Sequence, residues 1–313
     1  MIQGKVFNQI LDEICKEQNI SIEPLSYGWI KKLTKDGKIR YVMENRLDLN
    51  SAISQIIAQD KFATFEVLKS NNIPTIEHRM IFNPKTRSNF YKNKFIEDAK
   101  ELLKENKKVV IKANDSSEGK DVYYCITDKE IEDIVIKLFE EENDTLSACP
   151  YIDIDYEYRT VYLDGEIEFV YKKKKAFVTG DGNTSVKELI NNKFSYLNHD
   201  MDLIRELDLN YVPKKDEEVT VSWKHNLYNG AEPILIDEND PFVEEVKKVS
   251  KQAGDASRIK FATIDVALTK DKKILVMEIN SSVCFTKFAQ LIPSGYEITK
   301  SIYLKAINKM FED

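Results

Sequence analysis

The sequence predicts an α+β protein built from more than one lobe. At 313 residues the chain is long enough for two or three lobes with a sizeable core. From Pro74 onward, segments with helical and strand patterns alternate without the strict βαβ repeat of a doubly wound sheet. The second half is strand-rich, and tight-turn signals separate neighbouring strands, which is the pattern of hairpins. Neither G-x-x-x-x-G-K-[ST] nor G-x-G-x-x-G occurs, which excludes Walker and Rossmann phosphate sites at the level of motif.

Val6–Gln18 places Ile10, Leu11 and Ile14 at helical spacing and reads as an amphipathic helix. A short β region follows around Trp29–Met43, interrupted by the turn signal Asp36-Gly37. Asp60–Ser70 reads as a helix ending at Asn71-Asn72. Lys108–Lys112 is a buried-type strand, Val122–Ile126 another, and Asp128–Glu142 a helix with an Asp N-cap after Thr127. Strands are expected at 158–163, 167–172, 219–223, 261–268 and 274–279, covered by helices at 186–193, 242–253 and 301–311. The resulting organisation is a short N-terminal segment, 1–59, a central lobe, 60–150, and a C-terminal lobe, 151–313.

A net charge of -7 and a pI near 5.3 argue against a broad nucleic-acid or anionic-membrane footprint, so any phosphate site must be a local concentration of Lys and Arg. No apolar run approaches a membrane span, and no signal-peptide core precedes the first helix, so a cytoplasmic location is expected. The four cysteines, Cys15, Cys125, Cys149 and Cys284, are scattered without a C-x-x-C pair and read as reduced thiols. Three distant histidines show no zinc-ligand spacing.

Two hairpins carry the chemistry. In 261–280 a turn centred between Asp271 and Lys272 sets Asp265 opposite Glu278. Alternation then gives Asp265, Glu278 and Asn280 one face, while Ile264, Val266, Leu275, Met277 and Ile279 point the other way. Facing carboxylates about 5 Å apart at Cβ repel unless a cation sits between them, and Mg²⁺ suits such oxygen donors. A solvent face that carries two acids is the competing reading. In 156–172 the Asp164-Gly165 turn pairs Glu157 with Lys172 and Arg159 with Val170 on one face, and leaves Tyr158, Tyr162, Phe169 and Tyr171 as core on the other. A surface salt bridge is the bland account of Glu157 and Lys172. Lys112 ends a buried-type strand before the small-residue loop 116–119, a loop through which backbone N–H groups could reach an anion.

Taken in order, these pieces resemble the ATP-grasp superfamily, in particular the ATP-grasp module of cyanophycin synthetase and of the fused bacterial glutathione synthetases. The resemblance covers roughly Asn50 to the C-terminus. It runs through Ser51-Ala-Ile-Ser-Gln-Ile-Ile-Ala-Gln-Asp60-Lys61, Val67-Leu68-Lys69 and Asn72-Ile73-Pro74. Val110-Ile111-Lys112, Pro150-Tyr151-Ile152-Asp153 and Glu157-Tyr158-Arg159 follow. The stretch Val178-Thr-Gly-Asp-Gly-Asn-Thr-Ser-Val-Lys-Glu-Leu-Ile190 is similar to a signature of this branch, and Glu278-Ile279-Asn280 closes the series.

The resemblance implies an ATP-grasp fold, with two α+β lobes clasping ATP behind a short N-terminal α/β segment. Lys61, Lys112, Ser116, Ser117 and Gly119 would contact phosphates. Backbone around Cys149, Tyr151 and Ile152 would hold adenine, with Glu157 on the ribose or adenine side and Lys173 on a phosphate. Arg159 and Lys172 would be catalytic, Arg159 at the acyl phosphate or the attacking site and Lys172, or Lys173 in its place, on a phosphate. Asp265, Glu278 and Asn280 would hold one or two Mg²⁺ ions, with Mn²⁺ an alternative. Asn226, Asn229 and Gly230 stand in a segment similar to the family's Asn-Leu-Ser-x-Gly-Gly substrate loop, with Tyr228 for Ser and Ala231 for the second Gly. Further departures are Lys175 where proline is common, and Ser281-Ser282-Val283-Cys284 where relatives often carry Pro then Gly. Cys284, just past the metal strand, reads as a packed, unreactive thiol, with a place near the site as the other reading.

The implied activity is ATP-dependent carboxylate–amine ligation through an acyl phosphate, on amino acid or peptide substrates. A ligase acting on side chains of a ribosomal precursor peptide, an ATP-grasp kinase and a nucleotide-binding regulator are the other readings. The two lysines and three metal ligands argue against the last. No nucleic acid or membrane partner is implied, and a homo-oligomer is left open by family habit.

Overall fold

The computed structural model describes residues 3–86, 96–115, 121–197 and 203–312. Its elements run α1 (Gln3–Glu17), β1 (Ser21–Leu25), β2 (Ile30–Lys35), β3 (Lys38–Met43), β4 (Arg46–Leu47), α2 (Ala52–Gln59) and α3 (Lys61–Ser70). Then come β5 (Arg79–Phe82), α4 (Glu97–Asn106), β6 (Val109–Ala113), β7 (Val122–Cys125), α5 (Asp128–Glu140) and β8 (Thr145–Pro150). The second half comprises β9 (Ile154–Leu163), β10 (Glu166–Lys174), β11 (Phe177–Thr179), α6 (Val186–Lys193), β12 (Glu218–Thr220) and β13 (Glu232–Leu235). It closes with α7 (Val243–Ala256), β14 (Phe261–Thr269), β15 (Ile274–Asn280), α8 (Thr286–Leu291) and α9 (Gly295–Glu312).

Three larger sheets follow from this order, with the small β11–β12 pair beside them. The N-terminal sheet is β1-β2-β3-β4, the central one β5-β8-β6-β7, and the C-terminal one β13-β10-β9-β14-β15. The apolar stripe of α1, including Ile10, Leu11 and Ile14, is buried as its spacing predicts. Burying each such side chain contributes about 1.5–3 kcal/mol. The partners of that stripe come from far along the chain: Phe7 meets Tyr303 of α9 at 4.9 Å between ring centres, and one core joins α1, β2, β3, α8 and α9. The N-terminal segment is therefore a sheet and helix seated on the C-terminal helices.

The central sheet buries Val109, Ile111, Leu146 and Ala148 against α4 and α5. Asp60 caps α3 by accepting from the Ala63 N–H, but Leu68 of that helix lies in the core of the C-terminal sheet, with Ala58, Ile73 and Val276. Thr127, not Asp128, caps α5, because its side chain reaches the Glu130 N–H.

The two functional hairpins differ from the even alternation expected of them. In β14–β15 Asp265 does face Glu278, yet Val266 pairs with Val276, so Met277 is an extra residue in β15. Leu275 and Met277 consequently join the cluster of Val110, Tyr151 and Trp223, while Ile274, Val276 and Ile279 face the core. In β9–β10 the Asp164-Gly165 turn forms as expected, with Leu163 opposite Glu166, and a bulge then intervenes before Phe169. Glu157 therefore pairs with Lys173, Arg159 with Tyr171 and Tyr158 with Lys172. The expected pairs Glu157–Lys172 and Arg159–Val170 do not form. Phe169 and Tyr171 pack toward α8, on the opposite face from Tyr158 and Tyr162.

Candidate functional site between the lobes

One face of the C-terminal sheet gathers Glu157 and Arg159 from β9, Lys173 from β10, and Asp265 from β14, opposite Glu278 in the register. Arg159 clamps Asp265 through two parallel bonds, Nε to Oδ1 at 2.7 Å and Nη2 to Oδ2 at 2.6 Å. Lys173 Nζ lies 3.1 Å from Asp265 Oδ2 and also bonds Glu157. Burial alone would raise the Asp265 pKa, but Arg159 and Lys173 outweigh it and hold the carboxyl well below the usual range. Burial pushes Glu157 up to about 7, opposed by Lys173. His225 Nδ1 lies 3.8 Å from Glu157 Oε2, and burial keeps this imidazole neutral by lowering its pKa. Asn280 donates to Glu278 Oε1 at 3.2 Å.

The central lobe supplies the facing wall. Alternation along β6 sends Val109 and Ile111 into the lobe core and Val110 with Lys112 toward the cleft, where Val110 clusters with Ile76 and Cys149. Lys61, at the start of α3, donates to the carbonyls of Ala113 and Asn114 at 3.3 and 3.0 Å. Burial and then Lys112 lower its pKa to about 8, while Glu278 acts in the opposite sense. Lys61 thus feels both the cationic wall and the carboxylate of the other lobe.

At the far end Tyr124, Tyr151 and Trp223 pack with ring centres 5.2–5.9 Å apart, beside Ile152, Leu275 and Met277. Arg205 reaches across to this corner, donating to the Tyr124 carbonyl at 2.6 Å and pairing with Glu130 at 2.9 Å. The loop after β12 is ordered by its own bonds: Asn226 Oδ1 accepts from the Tyr228 N–H at 2.8 Å. Gly230 has φ of +89°, and a Cβ there would lie 2.6 Å from the Phe194 ring, which explains the glycine structurally.

Of the residues expected from the sequence, Arg159, Glu157, Lys173 and Asp265 are in mutual contact, with Glu278 across from Asp265 and Asn280 bonded to Glu278. Lys112 lies on the same face of β6 as Val110 and its charge acts on Cys149, and Tyr151 and Ile152 stand in the aromatic corner. Ser116, Ser117 and Gly119 lie outside the described residues. Lys172 is a correction: the bulge turns it to the other face, where it pairs with Asp240 at 2.5 Å and lies 4.6 Å from the centre of the Tyr156 ring. His225 and the cleft-facing Met277 escaped the sequence reading. No ligand spacing marks a lone histidine, and a bulge leaves no trace in an alternating pattern. Cys284, read as packed, is half-exposed, with its Sγ 3.7 Å from Tyr228 Oη.

Among the described residues no three His, Cys, Asp or Glu side chains converge as a metal cage. Asp265, Glu278 and Asn280 nevertheless form a hard-oxygen set of the kind Mg²⁺ uses when substrate phosphates complete its shell. Asp265 retains lone-pair capacity beside its bonds to Arg159 and Lys173.

No family model matches the sequence, and no curated protein does. Solved structures do match. D-alanyl-alanine synthetase A from Vibrio cholerae superposes with a TM-score of 0.58 at 13% identity, over 96% of this chain and 93% of that one. A bifunctional glutathione synthetase from Pasteurella multocida gives 0.55 at 18% identity, over 96% of this chain and 43% of that chain. A D-alanine–D-alanine ligase from Bacillus anthracis gives 0.53 at 16% identity, over 84% and 69%. The chain thus spans less than half of the glutathione synthetase. The likeness is one of fold, a mixture of helices and antiparallel sheets. This chain has the ATP-grasp fold. Among the described residues no helix is long and apolar enough to cross a membrane.

Proposed function

We propose that the chain is an ATP-dependent carboxylate–amine ligase acting on amino acids or peptides. One observation carries this reading: Asp265, held by Arg159 and Lys173 and opposite Glu278, faces a cleft whose other wall presents Lys61 and Lys112. The folds it resembles belong to a glutathione synthetase and D-alanine ligases, which adds support.

In this reading a carboxylate oxygen attacks the γ-phosphorus of ATP, and ADP leaves. The amine then attacks the acyl phosphate carbonyl, the C–N bond forms and phosphate departs. Moving a phosphoryl group between two anions concentrates negative charge, and preorganised cations offset it. Lys61 and Lys112 serve the nucleotide phosphates, Lys173 adds a cation on the facing wall, and Arg159 steadies the acyl phosphate. Backbone of 149–152 holds adenine, with Glu157 toward the ribose. Asp265, Glu278 and Asn280 would hold Mg²⁺, which supplies Lewis-acid neutralisation of phosphate charge. The loop with Asn226, Asn229 and Gly230 borders the second substrate.

The test is ADP release with Mg²⁺ and ATP against pairs of amino acids and dipeptides, repeated with hydroxylamine. A ligase gives a hydroxamate and an amide product. ADP release with a stable phosphoester and no hydroxamate would replace the ligase with a kinase.

A further inference from the structure

Lys287 of α8 is half-buried, yet among the described residues it makes no ion pair and no hydrogen bond. Its Nζ lies 5.5 Å from the centre of the Tyr228 ring and 5.9 Å from that of Tyr196. Other lysines on this side of the C-terminal sheet have acceptors: Lys173 has two carboxylates, and Lys175 donates to the Ile154 carbonyl. Two aromatic faces attract an ammonium but accept none of its N–H donors in the manner of a carboxylate. Among the described residues the position is therefore a cation held between two rings without an acceptor.

Its location indicates what it would meet. The next residue, Phe288, packs on Tyr171 at 4.8 Å between ring centres, and Tyr171 is the cross-strand partner of Arg159. Lys287 thus stands one aromatic layer from the residues assigned to phosphoryl transfer. A carboxylate being phosphorylated belongs beside Arg159, and one held by Lys287 would be bound by a different cation.

We propose that Lys287, Tyr196 and Tyr228 form the subsite for a non-reacting carboxylate of an amino-acid or peptide substrate. The subsite rests on the ligase reading and narrows it to substrates that carry a carboxylate besides the group being joined. Cys284 gives a report on occupancy that does not need turnover. It is half-exposed beside Tyr228, whereas Cys15, Cys125 and Cys149 are buried.

The experiment uses the full chain with Mg²⁺ and a non-hydrolysable ATP analogue. Free dipeptides and their C-terminal amides are compared by calorimetry and by protection of Cys284 from iodoacetamide. Free acids should bind about tenfold or more tightly than amides, the scale of a charge-assisted hydrogen bond, and should slow alkylation. Lys287→Gln should erase that difference and Lys287→Arg preserve it. Equal binding of acids and amides, an acid preference that survives in Lys287→Gln, or no protection by any dipeptide would overturn the subsite. Failure of the ligase reading looks different: acids bind through Lys287, but no pair of substrates yields ADP and an amide.

Discussion

The hairpins β9–β10 and β14–β15 start from the same kind of sequence and end with different fidelity to it. Both have alternating strands around a polar turn, and both contain one bulge. In β9–β10 the turn forms where expected and the bulge after Ile167 shifts every later pair, so Lys173 replaces Lys172 opposite Glu157. In β14–β15 the tip itself departs by one residue, with Leu268 opposite Ile274, and the extra Met277 restores the register before Asp265 is reached. Two deviations cancel there and one stands alone in the other. Hairpin register is the sum of turn geometry and bulges, and only the turn has a residue signature.

The largest expected effect tests the hairpin whose register was restored. Asp265→Ala leaves the Arg159 guanidinium without its buried carboxylate and Lys173 with Glu157 alone, so it should cost about 3–5 kcal/mol of stability. Glu278 is more exposed than Asp265, and among the described residues its carboxylate accepts from Asn280 and forms no ion pair, so Glu278→Gln should remain folded. Its ADP release should still fall about a hundredfold or more if, as proposed, Glu278 is one of the residues that would hold Mg²⁺. Urea titration and turnover on both variants separate the roles. Wild-type turnover in Glu278→Gln would remove the metal assignment.

The shifted hairpin offers a sharper contrast, between neighbouring lysines. Lys173→Met should reduce turnover about a hundredfold, since it strips a cation from Asp265 and Glu157. Lys172→Met should leave turnover unchanged and lower stability by about 1–3 kcal/mol, since Asp240 keeps Tyr158 and the Phe242 N–H as donors. Steady-state kinetics of the pair decides it: a larger loss in Lys172→Met would mean that the register inferred from the bulge is not the one that works.

The parts of the molecule legible from sequence are those encoded by short-range signals. The helix α6 begins at Val186 and ends at Lys193 as its pattern predicts, because Ser185 and Glu188 form a reciprocal capping box. The order of the charged motifs resembles that of the ATP-grasp superfamily, and the structure has that fold. What stayed hidden depends on distant partners. Nothing near Leu68 says that its helix packs on the C-terminal sheet, and nothing near Phe7 announces Tyr303. Lys287 shows no motif at all, and only folding brings Tyr196 and Tyr228 around it.

The smallest effect concerns the wall opposite both hairpins and its dependence on pH. Burial, reinforced by Lys112, lowers the Lys61 pKa to about 8. ATP prefers the protonated amine, so below about pH 8 this group adds no pH dependence to nucleotide binding. Above it a proton must be taken up on binding, and the Kd should rise by up to about tenfold per pH unit. Fold stability responds with the opposite sign. Between about 8 and the unperturbed lysine value the unfolded chain binds more protons than the native one, so Lys61 makes the fold more stable as pH rises. Weaker nucleotide binding at high pH therefore cannot be ascribed to Lys61 loosening the fold. Calorimetric titration at constant Mg²⁺ from pH 7 to pH 9.5 should show the rise in wild type. Lys61→Met should bind more weakly and show a flatter profile. An unchanged slope in that variant would mean that another group on the cleft is the one that titrates.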